Sequence, residues 1–407
     1  MRLLPEPGAA RVLVLSTLVN TVGRGVWLTV SALFLTRSAG LSVTEVGLGL
    51  TATALVNLVA SAPMGYLADR YGPRGVQLVG LVASGFCSAA LLTVRSLPAF
   101  LIVGAATALA DAAAKGARGA IIAGAVPPGE RVRTRAYLRA VTNVGISFGA
   151  VAAGFGIAVD TRPAYVSLVL VDAATFLLAA AILVRLAPIP PVPAPTHGPR
   201  LVALRDRPFL AFTVLDGLMS MHFGLLNIAL PLWISGHTHA PRWLISALML
   251  GNTVVVVLFQ VRAARGTEEL SGAARASRRA GVAVALACVL FAAGGLVSTG
   301  FAVVLLVAGS LAHVTGELWQ SAAGWGISFG LAPADAHGQY QGTYGMGMQL
   351  GSMLAPVVVT TLAIRWGVPG WLLLGAFFAL VGLLLPPVVR WAARTRPVAP
   401  GKPVTVG

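Results

Sequence analysis

Nine ionisable side chains lie within otherwise apolar stretches of this sequence, and they are the residues best placed to do chemistry. They are Arg24, Asp111, Lys115, Arg118, Asp172, Asp216, His222, His313 and Glu317. A charge at the centre of a membrane costs at least about 2.5 kcal/mol, so such groups either serve a function or form ion pairs that join helices. Buried carboxylates and imidazoles can exchange a proton in the physiological pH range.

Helical spacing places several of these groups side by side. Asp111, Lys115 and Arg118 stand at i, i+4 and i+7 and therefore share one helix face. His313 and Glu317, at i and i+4, share another face. Three acids and three bases are expected to pair within one cavity, so the net charge of the cavity does not predict the charge of a ligand. The acids are Asp111, Asp216 and Glu317, and the bases are Arg24, Lys115 and Arg118.

The composition is that of an integral membrane protein. Of 407 residues, 57% are hydrophobic and only 10% are charged, whereas soluble domains have about 25% charged residues. A membrane-spanning helix needs about 20 apolar residues. The sequence predicts twelve such spans, near residues 11–36, 47–68, 76–94, 98–122, 138–159, 164–185, 209–234, 242–262, 281–298, 301–325, 340–364 and 370–391.

The net charge of +16 is distributed unevenly. Most Lys and Arg residues lie at the termini, in the central linker and after spans 2, 4 and 8. The other connections contain only Arg37, Arg95, Arg162, Arg242 and Arg365. This alternation follows the positive-inside rule and predicts that both termini are cytoplasmic. Nucleic acid is therefore not an expected partner. Topology and anionic-lipid contacts explain the four arginines after span 4, which are Arg131, Arg133, Arg135 and Arg139.

A proline-rich linker divides the chain. Residues 186–208 contain Pro188, Pro190, Pro191, Pro193, Pro195 and Pro199, a density that favours an extended connector. It separates a six-span bundle at 1–185 from a second one at 209–394, followed by a cytoplasmic tail at 395–407. The halves resemble a diverged repeat. Two alignments support this: Asn57 with Asn252 together with Arg70 with Arg265, and Gly145 with Gly347 together with Gly149 with Gly351.

No motif of an enzyme or an ATP-driven pump is present. The sequence has no phosphate-binding P-loop, HExxH zinc motif or nucleophilic serine elbow. Cys87 and Cys288 lie in separate apolar spans and are expected to pack, not to form a disulfide or a metal site. The first span has no signal-peptide cleavage site behind it. We expect no enzymatic activity, no cofactor and no metal.

A short polar segment closes the second span. It reads Gly65-Tyr-Leu-Ala-Asp69-Arg70-Tyr-Gly72-Pro-Arg74 and resembles the signature loop of the major facilitator superfamily, G-x-L-a-D-R-x-G-x-R/K. The resemblance implies a cytoplasmic latch between the two halves. Asp69 would face the positive N-terminus of span 11, and Gly65 would let helices approach. Arg70 and Arg74 would form salt bridges or contact lipid phosphates.

Span 5 contains a second motif, Gly145-x-x-x-Gly149-Ala-x-x-Ala-Gly154. It resembles the glycine-proline motif of antiporters in this superfamily, with alanine at the usual proline and at one usual glycine. Small residues at this spacing also give close helix packing whatever the function. Both interpretations, export and packing alone, therefore stay open.

The resemblance implies an all-α membrane protein of twelve transmembrane helices in two six-helix pseudo-symmetric halves. In that fold spans 1, 4, 7 and 10 line a central cavity, and eight of the nine ionisable groups lie in them. Asp172, in span 6, is expected to brace its helix. The cavity candidates are Arg24, Asn20, Trp27, Lys115, Arg118, His222, Asn227, Trp319 and Gln320.

Roles follow as hypotheses. Glu317 is the first candidate for a proton-coupling acid, followed by Asp111 and Asp216, with His313 sharing or sensing the proton. For each acid the alternative is an ion pair that joins helices. Arg24 either binds an anionic or carbonyl group of the substrate or is neutralised by Asp111 across the cavity.

The most favoured function is secondary active transport by alternating access, with proton-coupled efflux of a small amphipathic or drug-like compound. One alternative is an importer or facilitator of a polar metabolite. Another, from a different class, is a membrane sensor or scaffold that transports nothing. The expected partners are the substrate, protons and membrane lipids, and the expected form is a monomer in the cell membrane.

Overall fold

The computed structural model describes residues 5–192 and 200–396, and every regular element within them is helical. Twelve helices of this part of the chain are long and apolar enough to cross a membrane. They are α1 Ala9–Ser38, α2 Val43–Tyr71, α3 Pro73–Thr93, α4 Leu97–Ala125, α5 Pro128–Val159, α6 Arg162–Leu183, α7 Arg207–His237, α8 Trp243–Ala263, α9 Leu270–Gly294, α10 Thr299–Gly330, α11 His337–Arg365 and α12 Val368–Arg394. The all-α, twelve-span prediction is confirmed.

Most helices begin before the predicted spans, because the ladder of backbone hydrogen bonds continues into polar flanks. Ser42 starts α2 with a capping box, in which its side chain accepts from the Glu45 backbone and Glu45 accepts from the Ser42 backbone. Gly72 turns the chain between α2 and α3 with φ of 86°, a conformation that favours glycine. Pro73 then begins α3 at a position where its missing N–H costs nothing.

Helix α7 is irregular at its centre. Regular α-helix ends at Ser220, and a π-helical turn occupies Leu225–Ala229 before the α-helix resumes at Leu230. A π turn widens the helix and changes the direction of the side chains around it. His222 and Asn227, both expected in the cavity, lie in this irregular segment.

Each half packs mainly within itself. In the first half α1 packs on α5 and α6, α2 on α4, and α3 on α4 and α6. In the second half α7 packs on α11 and α12, α9 on α10 and α12, and α8 on α10. Helices α2 and α4 contact α11 across the halves, and α5 contacts α8 and α10. These four contacts bring the candidate residues of the two halves together.

The linker between the halves has no regular structure where the structure describes it. Pro193, Pro195 and Pro199 lie outside the described residues, as does the tail from residue 397 onward. Helix α7 begins at Arg207, just before the expected boundary at residue 209. The proposed domain boundaries stay a prediction.

Candidate functional site

Asp69 closes one end of the molecule, which we call the Asp69 end. Its two carboxylate oxygens accept hydrogen bonds from the backbone N–H groups of Gly338, at 2.7 Å, and Gln339, at 3.0 Å. Both donors belong to the first turn of α11, whose N–H groups have no partner within the helix. A carboxylate at this position also interacts favourably with the helix dipole. The structure thus places Asp69 of the first half on α11 of the second, where the sequence analysis expected it.

Three glycines let the backbones touch at this end. A Cβ atom added to Gly65 on α2 would collide with the carbonyl oxygen of Gly338 on α11. A Cβ on Gly338 would in turn collide with the carbonyl oxygen of Gly65. On the other side of Gly65, a Cβ on Gly116 of α4 would lie 3.1 Å from the Gly65 Cα. Any larger residue at these positions would push α2, α4 and α11 apart.

Arg70 and Arg74, the two arginines of the signature loop, both donate to backbone carbonyl oxygens. Arg70 donates to the carbonyl oxygen of Val192 at 2.8 Å, and Arg74 donates to that of Val184 at 2.7 Å. The Val192 N–H donates to the Asp69 carbonyl oxygen at 2.8 Å. Arg70 at the end of α2 and Arg74 at the start of α3 therefore both bind the segment after α6. Carbonyls at the end of a helix and in an extended chain lack backbone partners, which explains why the guanidinium groups bind them.

A group of charged residues, which we call the cationic wall, lies between α1 and α4. It consists of Arg24, Asp111, Lys115 and Arg118. Asp111 forms an ion pair with Lys115 one turn along α4 and a longer one, at 3.9 Å, with Arg24 of α1. The side chains of Arg24 and Lys115 are 44% and 41% exposed. Because α1 packs mainly on α5 and α6, the ion pair of Arg24 with Asp111 joins two helices that otherwise have few contacts.

Arg118 lies deeper in this wall, towards the Asp69 end. It is half-buried, and its Nε atom has no hydrogen-bond partner. Arg135 of α5 is close enough for the two guanidinium charges to repel each other, and Arg135 donates to the Gln341 side chain on α11 at 2.9 Å. Gly119, next to Arg118, packs on Gln341. Positive charge therefore continues from the wall onto α5, whose Arg135 binds the start of α11.

Glu317 forms the one ion pair between the halves that the structure shows among the described residues. Arg139 of α5 donates to Glu317 of α10 at 2.8 Å, and Asn252 of α8 donates to its other oxygen at 3.0 Å. The Glu317 side chain is 4% exposed and that of Arg139 is 26% exposed. The Arg139 guanidinium also lies over the ring of Phe223 on α7, 4.9 Å from its centroid.

The two acids Asp111 and Glu317 occupy equivalent places in the two halves. Asn57 of α2 donates to Asp111 of α4 at 3.2 Å, and Asn252 of α8 donates to Glu317 of α10 at 3.0 Å. The sequence alignment of Asn57 with Asn252 therefore has a structural counterpart. The cationic partners differ, because Asp111 pairs within its own half whereas Glu317 pairs with the other half.

A cavity of about 180 Å³ lies beside the Arg139–Glu317 pair. The exposed side chain of Asn227, from the irregular part of α7, lines it at a position farther from the Asp69 end. Its walls combine polar and apolar groups, namely Arg139, Asn143, Ile146, Ser147, Phe223, Leu226, Asn227, Asn252, Thr253, His313 and Glu317. Such a lining can hold a ligand that has both polar and apolar parts.

His222 and His313 form a buried pair. Nδ1 of His222 lies 3.2 Å from Nε2 of His313, which also lies 3.0 Å from the His222 carbonyl oxygen. Both side chains are fully buried. His313 contributes to the cavity wall one turn from Glu317, whereas His222 lies behind it.

Asp216 does not join the expected set of paired cavity charges. Both of its oxygens accept from the Gln320 side-chain amide at 3.1 Å, and the Tyr344 hydroxyl interacts with it as well. Asp216 and Gln320 are 1% and 2% exposed. They lie sealed between α7, α10 and α11, and no cation pairs with this acid in the described part of the chain. The expectation of three acids balanced by three bases in one cavity is therefore wrong.

Other candidates are distributed unevenly. Trp319 lies on the opposite face of α10 from Glu317, where it lines an outer groove with Arg278 and Arg279 of α9, so the expectation that it lines the cavity is wrong. Trp27 packs edge-on against Phe34 in the core of the first half. Asn20 is buried one turn before Arg24, and its Nδ2 atom has no partner.

The span 5 motif packs α5 on α1. A Cβ on Gly145 would collide with Thr21, and one on Gly149 would collide with the carbonyl oxygen of Val22. A Cβ on Gly154 would meet no atom within 4 Å. Gly145 and Gly149 therefore make the close contact, and the expectation that Gly154 belongs to it is wrong. Asp172 accepts from Ser88 of α3 at 2.7 Å and braces α6, as expected.

Sequence reasoning missed Arg135 and Arg139, which it assigned to topology and lipid contacts. They stand one turn apart on α5 and face the second half. In the structure Arg139 lies about two helical turns, or roughly 12 Å, beyond Arg131, where the regular α-helix of α5 begins. The predicted span began at residue 138, so no local signal distinguished Arg139 from an arginine that sets topology. An arginine needed only for topology can lie at the very end of a helix.

The comparison with protein families identifies the chain. A family model described as the Major Facilitator Superfamily matches residues 13–315, which is more than half of the sequence. The chain belongs to the major facilitator superfamily. Members of this superfamily carry small molecules across membranes, so the chain is a multi-pass membrane transporter and not an enzyme. No curated protein matches the sequence.

Solved structures of superfamily members share the fold. The human organic anion transporter MFSD10 (TETRAN) is 18% identical with a TM-score of 0.65, and the match covers 94% of this chain and 99% of that one. A bacterial homologue of the iron transporter ferroportin, in an outward-facing state, is 15% identical with a TM-score of 0.73, covering 95% and 99%. The proton:xylose symporter XylE is 13% identical with a TM-score of 0.68, covering 94% and 95%. At such identities the likeness shows the fold alone.

Proposed function

We propose that this transporter works by alternating access and couples the efflux of a small amphipathic compound to proton entry. The observation that carries the proposal is the Arg139–Glu317 ion pair, which joins α5 to α10 between the cavity and the closed Asp69 end. Protonation of Glu317 removes its charge and weakens this tie between the halves. A proton bound at the cavity therefore favours opening at the Asp69 end.

Glu317 is better suited to this role than the other acids. Asp111 keeps two cationic partners in its own half, so its charge is compensated whichever way the halves move. Asp216 is sealed away from the cavity. Only Glu317 has both contact with the cavity and a cationic partner that moves relative to it, and His313 beside it lies within reach to share the proton.

The direction of transport follows from the proposed orientation. The positive-inside rule puts the Asp69 end in the cytoplasm of a cell whose membrane carries the protein, with both termini on that side. The conformation closed at the Asp69 end is then the one that receives protons from outside. Entry of each proton would return the carrier to the cytoplasmic side, where the substrate binds and is exported on the next turn.

The cavity lining supports an amphipathic substrate. Ile146, Phe223 and Leu226 offer apolar surface, while Asn143 and Asn227 offer hydrogen bonds. We propose that a single copy suffices, because each half supplies one wall of the cavity. The many exposed apolar side chains of the helices suit contact with surrounding lipids.

Proteoliposomes with an imposed pH gradient test the function. A lipophilic dye supplied on the side of the Asp69 end should be carried across only when the opposite side is more acidic. Glu317→Gln should bind the dye as the parent does but lose the response to the gradient. The double variant Arg139→Gln/Glu317→Gln removes the unpaired arginine and controls for misfolding. Asp160→Asn, which neutralises an exposed carboxylate at the opposite end, should leave gradient-driven flux unchanged.

The outcomes separate the candidates. Gradient-driven uptake of a polar metabolite in the opposite direction would favour an importer. Binding without any flux would favour a sensor. A Glu317→Gln variant that still responds fully to the gradient would remove Glu317 as the coupling acid.

A further inference from the structure

The cationic wall contains more positive charge than its own acid can neutralise. Arg24 and Lys115 share the single carboxylate of Asp111, which also accepts from Asn57. Arg118 forms no ion pair with any described residue, and its charge adds to those of Arg24 and Lys115. Three cations thus surround one carboxylate within the membrane-spanning helices α1 and α4.

Acids on neighbouring helices do not complete the balance. Asp172 of α6 lies behind α1, where it is buried and accepts from Ser88, so only its more distant field reaches Arg24. Glu317 is bound by Arg139, and Asp216 by Gln320. Even with Asp172 counted, the wall keeps a net positive charge, and Arg135 adds to it from α5.

The wall is also accessible and has unused donors. The side chains of Arg24 and Lys115 are more than two-fifths exposed. Asn20 Nδ2 and Arg118 Nε are buried without partners on the same two helices. Uncompensated cations and unpaired donors are costly inside a membrane, and a bound anion would satisfy both.

We propose that the cationic wall binds an anionic group of the substrate, so that the transported compound is an organic anion bearing a carboxylate, sulfonate or phosphate. The inference rests on the proposed function and names its substrate class. Guanidinium groups bind such oxyanions through paired N–H donors, and Lys115 adds a mobile point charge.

Equilibrium binding to purified protein, with no pH gradient, tests this inference. The probes are naphthylacetate, its neutral amide and the cationic naphthylethylamine, which share one apolar ring system and differ in charge. Naphthylacetate should bind more tightly than either analogue, and salt should weaken its binding. Equal or tighter binding of the amine would overturn the assignment.

Variants locate the charge that is responsible. Arg24→Gln and Lys115→Gln should each weaken naphthylacetate binding about tenfold, the effect of losing one hydrogen bond to a charged group. Amide binding should stay unchanged, which shows that the variants are folded. Arg279→Gln, an equal loss of charge in the outer groove of α9, should bind all three probes as the parent does. An equal loss of amide and anion binding would overturn the proposal.

Asp111→Asn should change the affinity for naphthylacetate in the opposite direction. Removing the competing carboxylate should tighten naphthylacetate binding several-fold if the wall receives an anion. Unchanged or weaker binding would mean that the cations serve only to pair with Asp111. Binding measured in nanodiscs should be the same in zwitterionic and anionic lipid, and displacement by anionic lipid would assign the wall to a lipid headgroup instead.

The two proposals can fail separately. Gradient-driven transport of a neutral or cationic dye, without binding of naphthylacetate, would refute the proposed substrate class and support the proton-coupled transport mechanism. Tight binding of naphthylacetate with no gradient-driven flux would refute the proton-coupled transport mechanism and support the anion-binding site.

Discussion

Replacing Asp69 by asparagine should open the Asp69 end. The carboxylate accepts two backbone hydrogen bonds from α11, at 2.7 and 3.0 Å, and faces the helix dipole. Asparagine keeps one neutral acceptor and turns its NH₂ group towards a second N–H donor. Hydrogen bonds to charged groups contribute about 1.5–3 kcal/mol each, so the closed state should lose about 2 kcal/mol. That loss is roughly a 30-fold change in the ratio of closed to open molecules.

Distances between two spin labels measure this ratio. Tyr71, at the end of α2, and Trp391, near the end of α12, are exposed and lie in different halves at the same end. Cysteines introduced there, after Cys87 and Cys288 are replaced by alanine, carry the labels. The parent should give mainly one short distance. The Asp69→Asn protein should show a second, longer distance in a larger fraction of the molecules.

A matched control is available in the same region. Asp335 is an exposed acid just before α11, and Asp335→Asn changes the net charge by the same amount without touching the two α11 donors. It should leave the distance distribution of the parent intact. If Asp69→Asn also leaves it intact, the two hydrogen bonds do not hold the halves together and the reasoning fails.

Two further predictions concern other parts of the fold. Gly149→Val should lower the free energy of unfolding by about 1–3 kcal/mol because the added side chain forces α1 away from α5. Gly154→Val should leave it unchanged, and unfolding monitored by tryptophan fluorescence compares the two variants. Hydrogen bonding from Tyr165 and the charge of Arg37 lower the pKa of Asp160. The stabilising contribution of this ionised group is present above the ordinary pKa of aspartate, about 4, and is lost only as the pH falls through the lowered value. Asp160→Asn should therefore leave the pH profile of transport between pH 5 and 8 unchanged.

The fold could be predicted from sequence because its main determinants are local. Apolar length defines a span. The orientation that the alternating arginines indicate stays a prediction. The spacing of Asp111 and Lys115 placed them on one face, and the structure shows them paired. Asp69 could be placed on α11 because its loop has a fixed pattern of residues in the superfamily.

The rest of the site depends on how the halves meet, which no local pattern records. Arg139 looks like any arginine near the end of a span until α10 brings Glu317 against it. Asp216 looks like a cavity acid until Gln320 and Tyr344 enclose it. Arg70 and Arg74 find backbone carbonyls because the segment after α6 returns to the end of α2. In each case the partner is distant in sequence.

The glycine contacts at the Asp69 end have a thermodynamic consequence. Gly65 and Gly338 meet backbone to backbone across the halves, so this part of the contact immobilises no side chain. Ordering a long side chain costs up to about 2 kcal/mol of rotamer entropy, and this contact avoids that expense. We expect the Asp69 end to close by the fit of rigid backbone surfaces, with little side-chain entropy gained when it opens. The equilibrium between closed and open molecules should then depend more on protonation and ligand binding than on temperature.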